Sequence, residues 1–234
     1  MNIDSAPAEC DDSNDFDRIA PCYDSLASIG TLGAIRRAQR LHMTLLMQPR
    51  RVLIVGGGAG RFLLDLLRCR RRAGTLATLR VLYLERSVRM LELARRLLAR
   101  EEPALGAAVE FRLGSACALC EPVESFDAIV TNFFFDLFSD RRALRIARHL
   151  SPMLAPRGVW LVVDWQLPTT RLRRRGARLL FAAMYAFFRV VSQVESDRPP
   201  DYTRLFTTLG FVAESQRAAY ARLIRSTIWA RPPN

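Results

Sequence analysis

Apolar and polar positions along the chain alternate between short apolar runs and longer stripes at helical spacing. Val52, Leu53, Ile54 and Val55 form an apolar run rich in β-branched side chains, the pattern of a strand buried on both faces of a parallel sheet. Gly56, Gly57, Gly58 and Gly60 follow at once, and beyond them Phe62, Leu63, Leu66 and Leu67 recur three and four apart. Together these predict a strand, a tight turn and the start of a helix. The helix ends in RCRRRAG at 68–74, with basic residues at the negative end of its dipole and Gly74 as a stop, which reads as a solvated helix end. Leu79 to Leu84 reads as a second buried strand finishing on Glu85, and Ser87 can cap a helix whose stripe is Val88, Leu91, Leu93, Ala94, Leu97 and Leu98. The rhythm continues with strands over Val109–Leu113 and Phe126–Thr131, a helix over Ala143–Leu154, and a fifth strand over Val159–Trp165 after Gly158. Repeated units of this length predict a parallel sheet covered on both sides, with any ligand beyond the C-terminal strand ends. Gly56 to Gly60, Glu85, Ser115, Asn132 and Asp164 all fall there.

The ends of the chain read differently. Residues 1–14 are polar and acidic, the composition of a disordered tail. Residues 15–48 hold FDRIAPCYDSLASIG and then Ile35 to Leu46, which suit one or two helices before the first strand, either packed on the body or acting as a lid. After the 50–165 core, residues 166–198 carry RLRRRGARLLFAAMYAFFRVV, in which arginines precede a helical run with Leu180, Met184, Phe187 and Val191 on one face and Phe181, Tyr185 and Phe188 widening it. This reads as a core helix or site cover, or as an interfacial element meeting lipid. Residues 199–234 begin with Pro199 and Pro200 and a helix to Leu209, then two strand-like runs, Phe211–Gln216 and Arg222–Trp229, forming a closing antiparallel hairpin. The fold class is therefore α/β, a Rossmann-like, doubly wound, seven-stranded sheet in a single domain, mostly parallel, with helices on both faces.

Composition narrows the picture. The net charge is +12, and all of the 35 basic residues are arginine. Residues 1–24 hold seven acids against Arg18, leaving the remainder at about +18. Such a surface attracts polyanions or an anionic membrane surface without specifying a fold. No apolar run is long enough to span a bilayer and the acidic N-terminus is not a secretory leader. The five cysteines, odd in number and irregularly spaced, predict reduced thiols in a cytoplasmic protein, and Cys117-Ala-Leu-Cys120 is a lone CxxC without a second pair or a neighbouring His, so no metal site is expected.

The glycine turn distinguishes one nucleotide pocket from another. Arg61 stands where a dinucleotide-binding turn has its third glycine, so the spacing is GxGxG. Glu85, a carboxylate ending the next strand, can accept hydrogen bonds from two ribose hydroxyls. Over residues 15–230 the chain resembles the class I S-adenosylmethionine-dependent methyltransferases. The resemblance rests on VLIVGGGAG, Glu85 at the second strand end, FDAIVTNFFFDLF at the fourth strand, LAPRGVWLVVDW at the fifth, and LGF before the final hairpin. The opening FDRIAPCYD is similar to the branch that includes ubiquinone, menaquinone and lipid methyltransferases.

That resemblance implies S-adenosylmethionine as cofactor. Gly56, Gly57, Gly58 and Gly60 would lie close to its methionine part, and Glu85, with Arg86 beside it, would hold its ribose. Ser115 and Ala116 would stand near the adenine, Asn132 and Phe133 would line the floor, and Tyr23 would belong to a lid. Two positions depart from the family pattern: Ile54 replaces an acid that helps hold the cofactor's amino group, and Ser115 stands where an acid often meets the adenine. The expected activity is methyl transfer to a small, lipophilic acceptor that is quinone-, phenol- or lipid-like. The alternatives are a cofactor-binding protein without catalysis and, against the absence of a base-flipping signature, a nucleic-acid methyltransferase. Placement in line with an activated methyl group carries most of such a rate, and a base helps where the acceptor holds its proton. Candidate bases are His149, His42, Asp136 and Tyr185, with Asp136 set among aromatic residues that raise a carboxyl pKa.

Overall fold

The computed structural model describes residues 32–167, 177, 181, 182, 185, 186, 196 and 198–232. The acidic tail, Tyr23 and the arginines at 171–175 lie outside the described residues, as do Met184, Phe187 and Phe188. Seven strands form one sheet in the order β3-β2-β1-β4-β5-β7-β6. They are β1 (Arg51–Val55), β2 (Arg80–Glu85), β3 (Val109–Leu113), β4 (Phe126–Asn132), β5 (Leu154–Trp165), β6 (Val212–Ala219) and β7 (Ile224–Ala230). β1 to β5 run parallel, and β7 pairs antiparallel with both β5 and β6. The helices are α1 (Leu32–Arg40), α2 (Arg61–Arg72), α3 (Val88–Glu101), α4 (Asp140–Leu150) and α5 (Tyr202–Thr208).

The two faces bury separate cores because side chains alternate along each strand. Val52, Ile54, Tyr83, Val130, Leu161 and Ile228 pack against α1, α2 and α3, whereas Leu53, Val55, Leu84, Ile129, Trp160 and Trp229 pack against α4 and α5. Val52 to Val55 are all buried, as expected of a central parallel strand. Arg36 grips Asp65 with two hydrogen bonds, at 2.6 and 2.8 Å, and ties α1 to α2. The basic end of α2 is not simply solvated: Arg68 pairs with Glu101 and Glu102, Arg71 with Glu102, and Arg70 is wholly buried, donating to the carbonyls of Leu46 and Met47.

Several element ends differ from expectation. The helix placed over Ala143–Leu154 starts at Asp140 and stops at Leu150, because Pro152 has no amide hydrogen with which to continue the α-helical ladder, and a 3-10 turn over Ser151–Met153 follows. β5 begins at Leu154 rather than Val159; a register shift lets Phe126 pair with Leu154 and Ala128 with Val159, so the intervening residues bulge out. The helix after Pro199 and Pro200 starts at Tyr202 with Asp201 as cap, accepting from the Arg204 amide at 3.0 Å. The hairpin strands are shifted, since β6 continues to Ala219, and Tyr220, Ala221 and Arg222 turn the chain with positive φ. Cys117 is disulfide-bonded while Cys69 and Cys120 are free thiols, which corrects the expectation of uniformly reduced cysteines. Among the described residues no helix is long and apolar enough to cross a membrane.

Candidate functional site

The sheet order reverses between β1 and β4, and in open α/β sheets the crevice beyond the strand ends at that point takes the ligand. The glycine turn closes this crevice from the β1 side. Its glycines serve different ends. A Cβ on Gly56 would stand 2.6 Å from the Phe134 ring, one on Gly57 would overlap the Tyr83 ring, and one on Gly60 would stand 2.8 Å from Ala94 Cβ. Gly58, with φ of 63–84° shared by its neighbours Gly56 and Gly60, has open space where its Cβ would be. Three glycines thus admit protein, and Gly58 alone of the four faces room for something else.

Glu85 stands directly against that opening. Its Oε2 accepts from the Gly58 amide at 2.8 Å, and its Oε1 accepts from the amides of Arg86 and Ser87 at 2.8 and 3.0 Å. The carboxylate is buried and held in one orientation by main-chain donors. Tyr83 supports the turn from beneath, its hydroxyl donating to the Gly58 carbonyl at 2.8 Å. Sequence reasoning missed Tyr83; the signal was a phenol in an otherwise aliphatic strand, two residues before Glu85. The Gly114 amide donates to the Glu85 carbonyl, which brings the loop after β3 to the same place. There Ser115 Oγ accepts from the Cys117 amide at 3.1 Å, and Ala116 is buried against the α4 side of the sheet. Ser115 therefore closes its own turn, and Arg86 is exposed with only its amide engaged on Glu85.

The β4 end forms the opposite wall. Asn132 Oδ1 is buried without a hydrogen-bond partner. Phe133 has φ of 52°, rare for a bulky residue, while its amide donates to the Val163 carbonyl at 2.7 Å. This reversal sends Phe133 to one face and Phe134 to the other, under Gly56. The Phe133 ring meets Trp165 at 5.5 Å, Trp165 meets Phe181 at 5.7 Å, and Phe181 meets Tyr185 at 6.4 Å, all edge-on. Phe135 instead packs inward on Trp160 and Phe206.

Two buried carboxyl groups adjoin this aromatic row. Asp136, in the turn Phe135–Leu137, and Asp164, near the end of β5, are neighbours. Burial foremost, then the nearby Asp164, pushes Asp136 well above the usual carboxyl range, and burial pushes Asp164 up to about 7. Tyr202 from α5 stands against Asp164, and Tyr185 against Asp136. The sequence marks Asp164 only as a strand-end acid and gives Tyr202 no mark at all.

The two histidines lie elsewhere. His149 occupies the exposed last turn of α4, which runs antiparallel to β4, so it sits at the N-terminal end of the strands, where its Nε2 meets the Leu119 carbonyl at 2.8 Å. It is separated from the crevice by the height of the sheet and leaves the candidate bases. His42 is buried between the hydroxyls of Ser226 and Ser215, at 2.8 and 2.9 Å, and burial with the Arg217 charge lowers its pKa to about 4. Both of its ring nitrogens are engaged by structure.

Residues 52–158 match the model of a methyltransferase domain. The chain is 32% identical to the demethylmenaquinone methyltransferase of Thermotoga maritima over 158 residues, 67% of this chain and 62% of that protein. An O-methyltransferase family protein from Burkholderia thailandensis has the same fold, with a TM-score of 0.66 at 17% identity over 93% of this chain and 60% of that one. So has an O-methyltransferase of neocarzinostatin biosynthesis, solved with S-adenosylmethionine and 2-hydroxy-5-methyl naphthoic acid, with a TM-score of 0.62 at 16% identity over 92% and 57%. The chain spans about three-fifths of the length of these relatives. A seven-stranded sheet ending in an antiparallel hairpin, a GxGxG turn facing a strand-end acid, and a methyltransferase relative at this identity agree: residues 52–158 form a methyltransferase domain, in the fold of the class I S-adenosylmethionine-dependent methyltransferases.

Proposed function

We propose that the chain binds S-adenosylmethionine between the glycine turn and Glu85 and transfers its methyl group to a small, lipophilic acceptor bearing a hydroxyl group, of quinol or phenol type. The observation that carries this reading is the Glu85 carboxylate 2.8 Å from the Gly58 amide, at the one glycine whose Cβ position is open. A carboxylate fixed by three main-chain donors is preorganised to accept sugar hydroxyls, and the unpartnered Asn132 Oδ1 offers a further acceptor across the crevice. The residues present therefore fit the cofactor. When bound, it supplies a methyl group already activated on a sulfonium. The chain has then to orient the acceptor, exclude water and receive a proton. The row Phe133, Trp165, Phe181 and Tyr185 supplies apolar faces suited to a flat, lipophilic ring.

Support from relatives is of the same kind. The relative from Thermotoga maritima is named for demethylmenaquinone, and the neocarzinostatin enzyme was solved with a hydroxylated naphthoic acid. Ile54 and Ser115 favour a second reading, a protein that holds the cofactor without transfer, because Ile54 is a buried core side chain and Ser115 is spent on its own turn. Calorimetry with S-adenosylmethionine and NAD, followed by methyl transfer to menadiol and 2-naphthol, separates the two. Absence of S-adenosylmethionine binding overturns both, and binding without transfer favours the second. A basic surface would further allow peripheral contact with anionic membrane, tested by pelleting with anionic vesicles before and after Arg171, Arg173, Arg174 and Arg175 become Gln.

A further inference from the structure

The two buried acids, one in the turn after β4 and one near the end of β5, are unexplained by cofactor binding. Asp136 is 5% and Asp164 2% exposed, and each has one carboxyl oxygen, Oδ1 and Oδ2 respectively, without a hydrogen-bond partner. Two neighbouring carboxyl groups in a poorly solvated place resist being ionised together, so one proton held between them is the low-energy state. The groups facing the pair are the hydroxyls of Tyr185 and Tyr202. Arg225, opposite Asp164 across the β5–β7 ladder, turns its guanidinium to Gln216 Oε1 at 3.2 Å instead of neutralising the acids.

The pair also joins two different surroundings. On one side Asp136 follows Phe133 and Phe134 in the β4 turn and has Tyr185, the last ring of the aromatic row, beside it. On the other, Asp164 lines a small pocket, about 20 Å³ and open to solvent, with Gln166, Tyr202, Thr203, Gln216 and Arg225. A proton released under the aromatic row has no apolar route to water; the acids provide a polar one.

We propose that Asp136 and Asp164 hold one proton in common and, as a unit, take up the proton that the acceptor hydroxyl loses on methylation, discharging it to water through the Asp164 pocket. This rests on the function proposed above. The acceptor oxygen forms its bond to the methyl carbon as the sulfur–carbon bond breaks, with that electron pair leaving on sulfur. The hydroxyl proton raises the pair from one proton to two, and the extra proton departs to solvent from Asp164. Asp136 is the acid on the acceptor side, and Asp164 and Tyr202 act through it as positioning residues.

The test combines proton titration with single-turnover methylation of menadiol across pH, in the wild type, Asp164→Asn and Tyr202→Phe. Potentiometric titration of the wild type shows a group near neutrality that is missing in Asp164→Asn. The wild-type rate rises through the same pH range, and Asp164→Asn loses that limb with a rate fall on the order of 10²–10⁴, while cofactor affinity by calorimetry is unchanged. Tyr202→Phe, which keeps both acids and the fold, moves the limb to higher pH, because the hydroxyl beside Asp164 favours its charged form. An unmoved limb in both variants, or a near-neutral group that persists in Asp164→Asn, overturns the inference. Should the wild type methylate neither menadiol nor 2-naphthol, the function proposed above fails, and titration alone decides whether the acids share a proton.

Discussion

Replacing single glycines of the turn by alanine separates the two reasons for their presence. Gly60 and Gly58 both have positive φ, so either substitution incurs the left-handed penalty of about 1–2 kcal/mol. Gly60→Ala also drives its methyl to 2.8 Å from Ala94 Cβ and 2.9 Å from Ala94 Cα, within helix α3, which cannot swing away as a flexible side chain would. Overpacking of that kind adds about 1–3 kcal/mol, for a sum of about 2–5 kcal/mol. Gly58→Ala meets nothing within 4 Å, so its stability cost stays at the left-handed penalty. At roughly 2–4 °C per kcal/mol for a chain of this size, Gly60→Ala lowers Tm by roughly 4–20 °C and Gly58→Ala by roughly 2–8 °C. The assay is thermal unfolding without cofactor, paired with calorimetric binding of S-adenosylmethionine. Gly58→Ala is expected to lose binding out of proportion to its stability loss, since the added methyl occupies the opening beside Glu85. Equal destabilisation by the two variants, or full cofactor affinity in Gly58→Ala, refutes the assignment of Gly58 to the ligand and Gly60 to packing.

Other outcomes follow from the same geometry. Glu85→Gln replaces one of the two accepting oxygens by an amide that cannot accept from a main-chain N–H, which costs about 1.5–3 kcal/mol in chemical denaturation and weakens cofactor binding in calorimetry. Thr131→Val removes the hydroxyl that accepts from the Trp160 indole at 3.1 Å, and the unpaired N–H in this buried site costs about 1–3 kcal/mol, read from urea unfolding. Asp164 has a folded pKa of about 7, above its unfolded value, so the folded chain binds more protons between roughly pH 4 and 7 and stability declines as pH rises through that window. In Asp164→Asn the decline is shallower, which denaturation at a series of pH values measures. For His42 the sign is opposite. Its folded pKa is lowered to about 4, so the unfolded chain takes up protons first and stability is lost as pH falls from about 6.5 toward 4, with the His42 ring resonance titrating near the lower value.

Much of the fold was legible because strand interiors and helix stripes are written in residue type. β1, β2, β3 and β4 fall within a residue of the apolar runs that predict them, and Ser87 caps α3 by accepting from the Met90 amide at 3.1 Å, as its place in the sequence suggests. The ends were less legible where a tertiary contact overrides a local pattern. Leu150 to Leu154 continues the apolar stripe of α4, yet Pro152 breaks the helix and Leu154 is taken by the β4 ladder. Within the site, Glu85 was readable as a strand-end acid. The separate duties of the glycines were not, since Tyr83, Phe134 and Ala94, the side chains that demand three of them, come from three other segments of the chain.

The acid pair shows the same limit more sharply. Asp136 and Asp164 stand on different strand ends, and nothing in either local sequence names the other. What unites them is the register Asn132 with Val163 across the parallel β4–β5 ladder, which sets the turn after one strand beside the end of the other. That register depends on the bulge between Leu154 and Val159, because the ladder resumes there after pairing Phe126 with Leu154. In a parallel pair a slip of one residue would turn Asp164 to the opposite face of the sheet, toward α1 and α2 and away from Asp136. Shortening the bulge by deleting Arg157 is therefore expected to abolish the near-neutral titration even if the β1 to β3 half of the sheet, with Glu85 and the glycine turn, still binds cofactor. Retention of that titration in the deletion variant would mean that the ladder, and with it the pairing of the acids, is set by the residues after Gly158 and not by the bulge.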